Sequence, residues 1–328
     1  RDLHLSIRRQ RQMCIRDRSI PDSMPGGTHE YIQDPRNENV LIYINGEILT
    51  RSEAKISVFD SGFLLGDGVW EGIRLHNGQL VFCEEHIDRL YTGARAIGID
   101  IGMPKNDLVA KIHETLAANN MYSSIHLRLI ISRGLKTTPY QHPRVNVGGS
   151  TVVIIPEYKV VTEDSKSNGL KLVSVTTSRA SESTQDPKIN SLSKFNCIQA
   201  CIEADRLGGD EGLMLDMHGY VSTCNSTNFF IVRSSEVLTS TGEYCLNGVT
   251  RGAIIDLCRA NNIPVLEKNF LTDDVYTADE AFVTGTFAGV LPVTSVDDHV
   301  LSGGQRGPLT KKLQDRYRSE IDKRYPGK

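Results

Sequence analysis

The chain has 328 residues, 39% of them hydrophobic and 23% charged, with a formal net charge of −3. That is the composition of a globular protein long enough for two medium domains. The charge balance gives no electrostatic reason to expect a nucleic-acid partner, and no apolar run reaches the length of a membrane span, so no membrane partner is expected either.

The predicted elements begin after an atypical N-terminus. Residues 1–18, RDLHLSIRRQRQMCIRDR, hold six arginines and two aspartates and follow no helical or strand period. They fit an Arg-rich transit peptide, but RRQRQMCIRDR resembles translated sequencing-adapter read-through more closely. Met24 is a natural start, so residues 1–25 are set apart as a non-native or disordered extension. Two hairpins are expected next, around Asn45-Gly46 in VLIYINGEIL (40–49) and around Asn77-Gly78 in GIRLHNGQLVF (72–82), because both turn residues need positive φ. A helix over 84–98 follows, with Ile87, Leu90 and Ile97 on one face, then a helix over 107–119 carrying Leu108, Ile112 and Leu116. Strands fit 125–132 and 151–155. Hairpins followed by helices point to an α+β domain over 38–158.

The polar, Ser/Gly-containing stretch 156–169 reads as an interdomain connection, with the linker at 159–168 and a larger α/β domain over 169–325. A strand over 171–177 leads into DPKINSLSKFNC (186–197), where Lys188 closes an extended segment and Lys194 opens a helix. Leu192, Phe195, Ile198 and Ile202 are expected to form the buried stripe of that helix, which ends at Gly208-Gly209. Further strands are expected at 212–216, 228–233, 263–267 and 280–284, and helices at 250–261 and 308–322. The seven cysteines lack metal-site spacing, which argues for reduced thiols, a cytoplasmic location and no metal.

Three polar clusters interrupt the pattern. NGVTRG (247–252) opens a helix, whose first N–H groups and positive dipole end attract anions. A plain capped helix would carry the same residues. VTGTFAG (283–289) follows a strand, and its glycines permit a close ligand approach or simply a tight turn. Arg89 lies on the polar face of the first helix, where arginines are usually solvated. Taken together, the three suggest a phosphate-bearing ligand.

In register along the chain stand GFLLGDGVWEGIR (62–74), EEHIDRL (84–90), IEADRLGGDEGLMLD (202–216), STNFFIV (226–232), GVTRG (248–252) and ADEAFVTGTFAGVLPV (278–293). This order resembles the fold-type IV, or class IV, pyridoxal-phosphate aminotransferases, and the resemblance covers about residues 38–322. That family includes branched-chain and D-amino-acid aminotransferases, (R)-amine transaminases and aminodeoxychorismate lyase. The resemblance implies a homodimer with pyridoxal 5′-phosphate in a cleft between two domains, exchanging an amino group between a small-molecule donor and a keto acid. It places Arg89, the N–H groups of Val249 and Thr250, and Thr286 on the phosphate, with Asn228 also at the cofactor. It places Phe63, Trp70, Phe287 and Ala288 along the substrate, and Arg128 is a further candidate for a substrate carboxylate unless it faces solvent.

Two departures stand out. The family's glutamate, five residues before the asparagine, pairs with the pyridine nitrogen; here that position is Thr223, which implies a weaker electron sink. The family's Schiff-base lysine falls on Asn190, which cannot form that bond. Lys188, two residues back on a strand, would share its face from about 6.6 Å away. Lys194, in the first helical turn, sits where relatives often carry a tyrosine beside the cofactor, and the dipole there favours its free amine. Both remain candidates. The alternatives to transamination are a lyase of the aminodeoxychorismate lyase type and a catalytically impaired protein that keeps the fold as a binding module.

Overall fold

The computed structural model describes residues 31–327 together with the backbone of Ser23–Met24. The extension read over 1–25 therefore lies outside the described residues, that dipeptide apart.

The first half builds a six-stranded antiparallel sheet from β1 (Leu41–Ile44), β2 (Glu47–Thr50), β3 (Gly68–His76), β4 (Gln79–Leu80), β5 (Ile125–Ser132) and β8 (Thr151–Tyr158), in the order β2-β1-β8-β5-β3-β4. Both expected hairpins form, with Asn45, Gly46, Asn77 and Gly78 all at positive φ. A short helix, α1 (Ser61–Leu65), precedes β3, and a two-stranded hairpin of β6 (Leu135–Lys136) and β7 (Asn146–Val147) follows β5. Helices α2 (Cys83–Ala96) and α3 (Lys105–Ala118) bury Ile87, Leu90, Leu108, Ile112 and Leu116 in one core with β3 and β5.

Residues 159–168 end in a short helix, α4 (Glu163–Asn168), capped by the Thr162 side chain. The second half is a nine-stranded mixed sheet. Its members are β9 (Leu170–Ser174), β10 (Glu211–Leu215), β11 (Val221–Cys224), β12 (Asn228–Arg233), β13 (Glu236–Thr239), β14 (Val265–Glu267), β15 (Glu280–Gly285), β16 (Gly289–Val296) and β17 (His299–Val300). They run β11-β10-β9-β16-β15-β12-β13-β14, with β17 on β16. Two helices complete a second core against this sheet: α7 (Val249–Ala260), and α8 (Pro308–Arg324), whose last turn reaches back to the first half. There the Phe82 N–H donates to the Tyr325 hydroxyl at 2.8 Å.

The stretch 186–197 differs from expectation in two ways. It is not a strand: a short helix, α5 (Glu182–Gln185), is followed by a turn in which Asp186 Oδ1 accepts the Lys188 N–H at 2.9 Å. Helix α6 (Phe195–Arg206) then starts with Lys194 at its N-cap. It also turns the other way round. Small residues, Ala200 and Ala204, face the sheet, while Phe195 is 70% exposed, Ile198 51% and Ile202 45%. The close approach explains the choice: a Cβ on Gly212 of β10 would sit 3.0 Å from the Ala200 carbonyl, leaving no room for large side chains between helix and strand. Among the described residues, no helix is long and apolar enough to cross a membrane.

Candidate active site

A cavity of about 340 Å³ lies between the two sheets, walled by β3 and β5 on one side and by α6, β11, β12, α7 and the β15–β16 turn on the other. That is the size of a small-molecule site. Arg89, Arg128, Arg179 and Lys194 line it, and none of the described lining residues is a carboxylate. The site is therefore built for a ligand with more than one negative charge.

One end of the cavity is a candidate anion site. Gly248 is the N-cap of α7 and brings no side chain to cap it, so the first N–H groups, those of Val249 and Thr250, have no intrahelical acceptor. A Cβ on Gly248 would collide with Asn228 Oδ1, so the residue types here are set by a close approach of two chain segments. Asn228 holds its amide on the Leu246 carbonyl at 2.9 Å. Arg89, from α2 on the other side, reaches across and donates from Nη1 to the Asn247 carbonyl at 2.9 Å. Thr286 lines the same cavity, as does Thr284, whose buried Oγ1 has no protein partner.

The other end holds an amine. Lys194 Nζ donates to Asn190 Oδ1 at 3.1 Å and lies 5.4 Å from the centre of the Trp70 ring. Asn190 is 6% exposed, and its carbonyl accepts the Trp70 N–H at 2.9 Å. Burial brings the Lys194 pKa down to about 8, assisted by the charges of Arg179, Arg89 and Arg128 and opposed by Cys197. The Arg128 guanidinium stacks over the opposite part of this wall, 3.8 Å from the Trp70 ring centre, and its pKa is lowered by burial against the pull of Glu157 and Glu71. An arginine so placed still carries its charge. Phe287 and Ala288 supply apolar wall. Thr223, buried on β11, donates its hydroxyl to the Thr227 carbonyl at 2.6 Å, so toward the cavity it offers only oxygen lone pairs.

The structure thus gathers Arg89, Trp70, Arg128, Asn190, Lys194, Thr223, Asn228, Val249, Thr250, Thr286, Phe287 and Ala288 in one place. It does not bring Lys188 or Phe63 there. Lys188 Nζ pairs with Glu182 at 3.2 Å on the surface, because the turn at Asp186-Pro187 removes the strand geometry that would have aimed it inward. Phe63, 71% exposed, is turned outward by α1, which Asp60 caps and Gly66 ends in the left-handed region. Several cavity residues escaped the sequence reading, among them Arg179 and Cys197. Arg179 donates to the Tyr244 carbonyl (3.3 Å) and to Cys197 Sγ (3.1 Å), and nothing in VTTSRAS marks it beforehand. Cys197 falls at a helical spacing that reads equally well as packing.

Comparison with known proteins identifies the family. The model of the family described as "Amino-transferase class IV" matches residues 68–296. The chain is 37% identical over 284 residues to branched-chain-amino-acid aminotransferase-like protein 1 of Arabidopsis thaliana, covering 87% of this chain and 51% of that protein. It thus spans about half the length of that relative. It is 35% identical over 278 residues to a putative branched-chain-amino-acid aminotransferase of Methanocaldococcus jannaschii, covering 84% of this chain and 95% of that protein. Its fold matches the branched-chain aminotransferase of the thermophilic archaeon Thermoproteus uzoniensis, solved with norvaline, with a TM-score of 0.79 and 29% identity over 88% of this chain and 97% of that one. The architecture is the two-domain, α+β arrangement of fold type IV. The chain belongs to the class IV aminotransferase family.

Proposed function

We propose that the protein is a pyridoxal 5′-phosphate-dependent aminotransferase that moves an amino group between an amino acid or primary amine and a 2-keto acid, with Lys194 as the lysine that carries the cofactor. The observation that supports this most directly is the pairing, in one carboxylate-free cavity, of an anion clamp with a lysine whose pKa is brought down to about 8. The residues present fit the cofactor. The Arg89 guanidinium, the N–H groups of Val249 and Thr250, and the Thr286 hydroxyl would hold the phosphate. When bound, pyridoxal 5′-phosphate supplies an electron sink for the bond broken at the amine-bearing carbon.

This chain's side chains supply the rest. Lys194, as a free amine, can take a proton from that carbon and hold it. Arg128 and Arg179, which line the cavity, would bind the substrate carboxylate, while Trp70, Phe287 and Ala288 would exclude water from the apolar side. Thr223 offers lone pairs but no negative charge, so we expect slower proton removal than a carboxylate there would give. The two domains are read as 38–158 and 169–325, joined by 159–168. The protein is read as a homodimer, supported by the exposed apolar side chains of Val58, Phe59, Phe63 and Leu65 beside those of Phe195 and Ile202. The Ser193 hydroxyl, bonded to the Gly66 carbonyl at 3.0 Å, joins the end of α1 to the start of α6. The free thiols of Cys83, Cys197, Cys201, Cys224, Cys245 and Cys258 are consistent with a cytoplasmic setting.

The test is incubation with pyridoxal 5′-phosphate, borohydride reduction and peptide mapping, beside an amino-transfer assay with a panel of donors. Label on Lys194 and transfer to a 2-keto acid are expected. Label on another lysine, or transfer from no donor, would overturn the reading.

A further inference from the structure

The Arg89 side chain is held from behind by two residues that do not line the cavity. Glu71, on β3, is fully buried and accepts three hydrogen bonds: from Arg89 Nε (2.7 Å), from Arg89 Nη2 (2.8 Å) and from His86 Nδ1 (2.7 Å). His86 and Arg89 stand three residues apart on α2 and so share the face turned to β3. His86 is itself 1% exposed. Burial alone would raise the Glu71 pKa, but the bonds from His86 and Arg89 outweigh it and lower it, so the carboxylate is ionised. A carboxylate at this depth gives up its hydration, a substantial cost to the fold. Apolar residues of the same volume would pack β3 against α2 without that cost, so the ion group calls for an explanation other than stability.

Arginine geometry provides one. Glu71 takes the Nε–Nη2 edge in a bidentate pair, which fixes the guanidinium plane. Nη1 gives one hydrogen to the Asn247 carbonyl, immediately before the N-cap of α7. One hydrogen on each Nη is not used by these bonds. The same side chain therefore carries free donors at the cavity and fastens α2 to the start of the anion-binding helix. We propose that Glu71 and His86 are positioning residues for the phosphate clamp: they lock Arg89 in the orientation that joins its guanidinium and the α7 N-terminus into one anion site. This deepens the function proposed above, since that reading supplies the phosphate.

The experiment measures binding of inorganic phosphate, pyridoxal 5′-phosphate and pyridoxal to the full-length wild type, Glu71→Gln, His86→Leu, His86→Asn, Arg89→Lys and the Glu71→Gln/Arg89→Lys pair. Thermal shift and equilibrium titration are the readouts. Glu71→Gln and His86→Leu are expected to weaken both phosphate-bearing probes by roughly tenfold or more, while pyridoxal, which lacks the phosphate, is held within about twofold. His86→Asn, which keeps a donor for Glu71, should retain most of the phosphate affinity. In the Arg89→Lys background, Glu71→Gln should cause little further loss, because the two act through one group. Equal loss of pyridoxal and pyridoxal 5′-phosphate, additive losses in the double variant, or wild-type phosphate affinity in Glu71→Gln would each overturn the proposal. If Glu71→Gln fails to fold, the contrast between His86→Leu and His86→Asn decides in its place. A wild type that binds neither phosphate nor pyridoxal 5′-phosphate would overturn this inference together with the proposed function, whereas normal wild-type binding with unaltered variants would overturn the inference alone.

Discussion

Lys194 is where the chemistry of single residues can be checked most directly. Its pKa of about 8 has a burial origin, so its charged form is the disfavoured one. Only the free amine attacks an aldehyde. The rate of covalent trapping by pyridoxal 5′-phosphate is therefore expected to climb about tenfold per pH unit below 8 and to level off above it, which a stopped-flow or quench series would show. Lys194→Ala should abolish trapping, and Lys188→Ala should leave it unchanged, since Lys188 is engaged at the surface with Glu182. The sign for stability follows from the same shift. An unfolded lysine keeps its proton up to its ordinary value of about 10.5, so between pH 8 and 10.5 the unfolded chain binds more protons and stability rises with pH. Below pH 8 both states are protonated and the full burial penalty is present. Lys194→Met is accordingly expected to raise the melting temperature at pH 7, by an amount that shrinks above pH 8.

At the scale of elements, α7 owes its role to the absence of a side chain at its N-cap. Gly248→Ala would drive a methyl group into Asn228 Oδ1 and displace the first turn, so phosphate binding should weaken about tenfold while the rest of the fold survives; isothermal titration with phosphate measures this. The hairpins at Asn45-Gly46 and Asn77-Gly78 are legible in the sequence because few residues other than Asn and Gly accept both dihedral angles the turn demands. Helix α6 is not legible in the same way. Periodicity finds its apolar stripe correctly but cannot say what covers it, and here the small residues took the sheet while Phe195 and Ile202 were left outside. No strand is expected from the sequence at β16, where Pro292 sits opposite Phe282 in the middle of the sheet, against the ordinary preference for proline at edges.

Over the whole molecule, the cavity exists because two sheets meet, and few of the bonds that close it are local. Arg89 and Asn247 are 158 residues apart in the chain, and Phe82 and Tyr325 are 243 apart. In the proposed homodimer, a second copy covers the apolar side chains of α1 and α6 that are exposed in the single chain. Introducing two like charges, as in Phe195→Glu/Ile202→Glu, is expected to shift the protein from dimer to monomer in sedimentation velocity. A wild type that sediments as a monomer at micromolar concentration would remove the basis for the dimer.

By itself, the sequence determined the local geometry and the family: turn chemistry, helix starts and six motifs in register. These are features in which each residue acts on its near neighbours, or in which the order of short motifs is enough. Tertiary structure alone decided which lysine enters the cavity, which side of α6 is buried, and that Glu71 and His86 stand behind Arg89. Each of those depends on distance in space and on access to water, and a turn of two residues at Asp186-Pro187 is sufficient to send one lysine to solvent and leave the other facing Asn190.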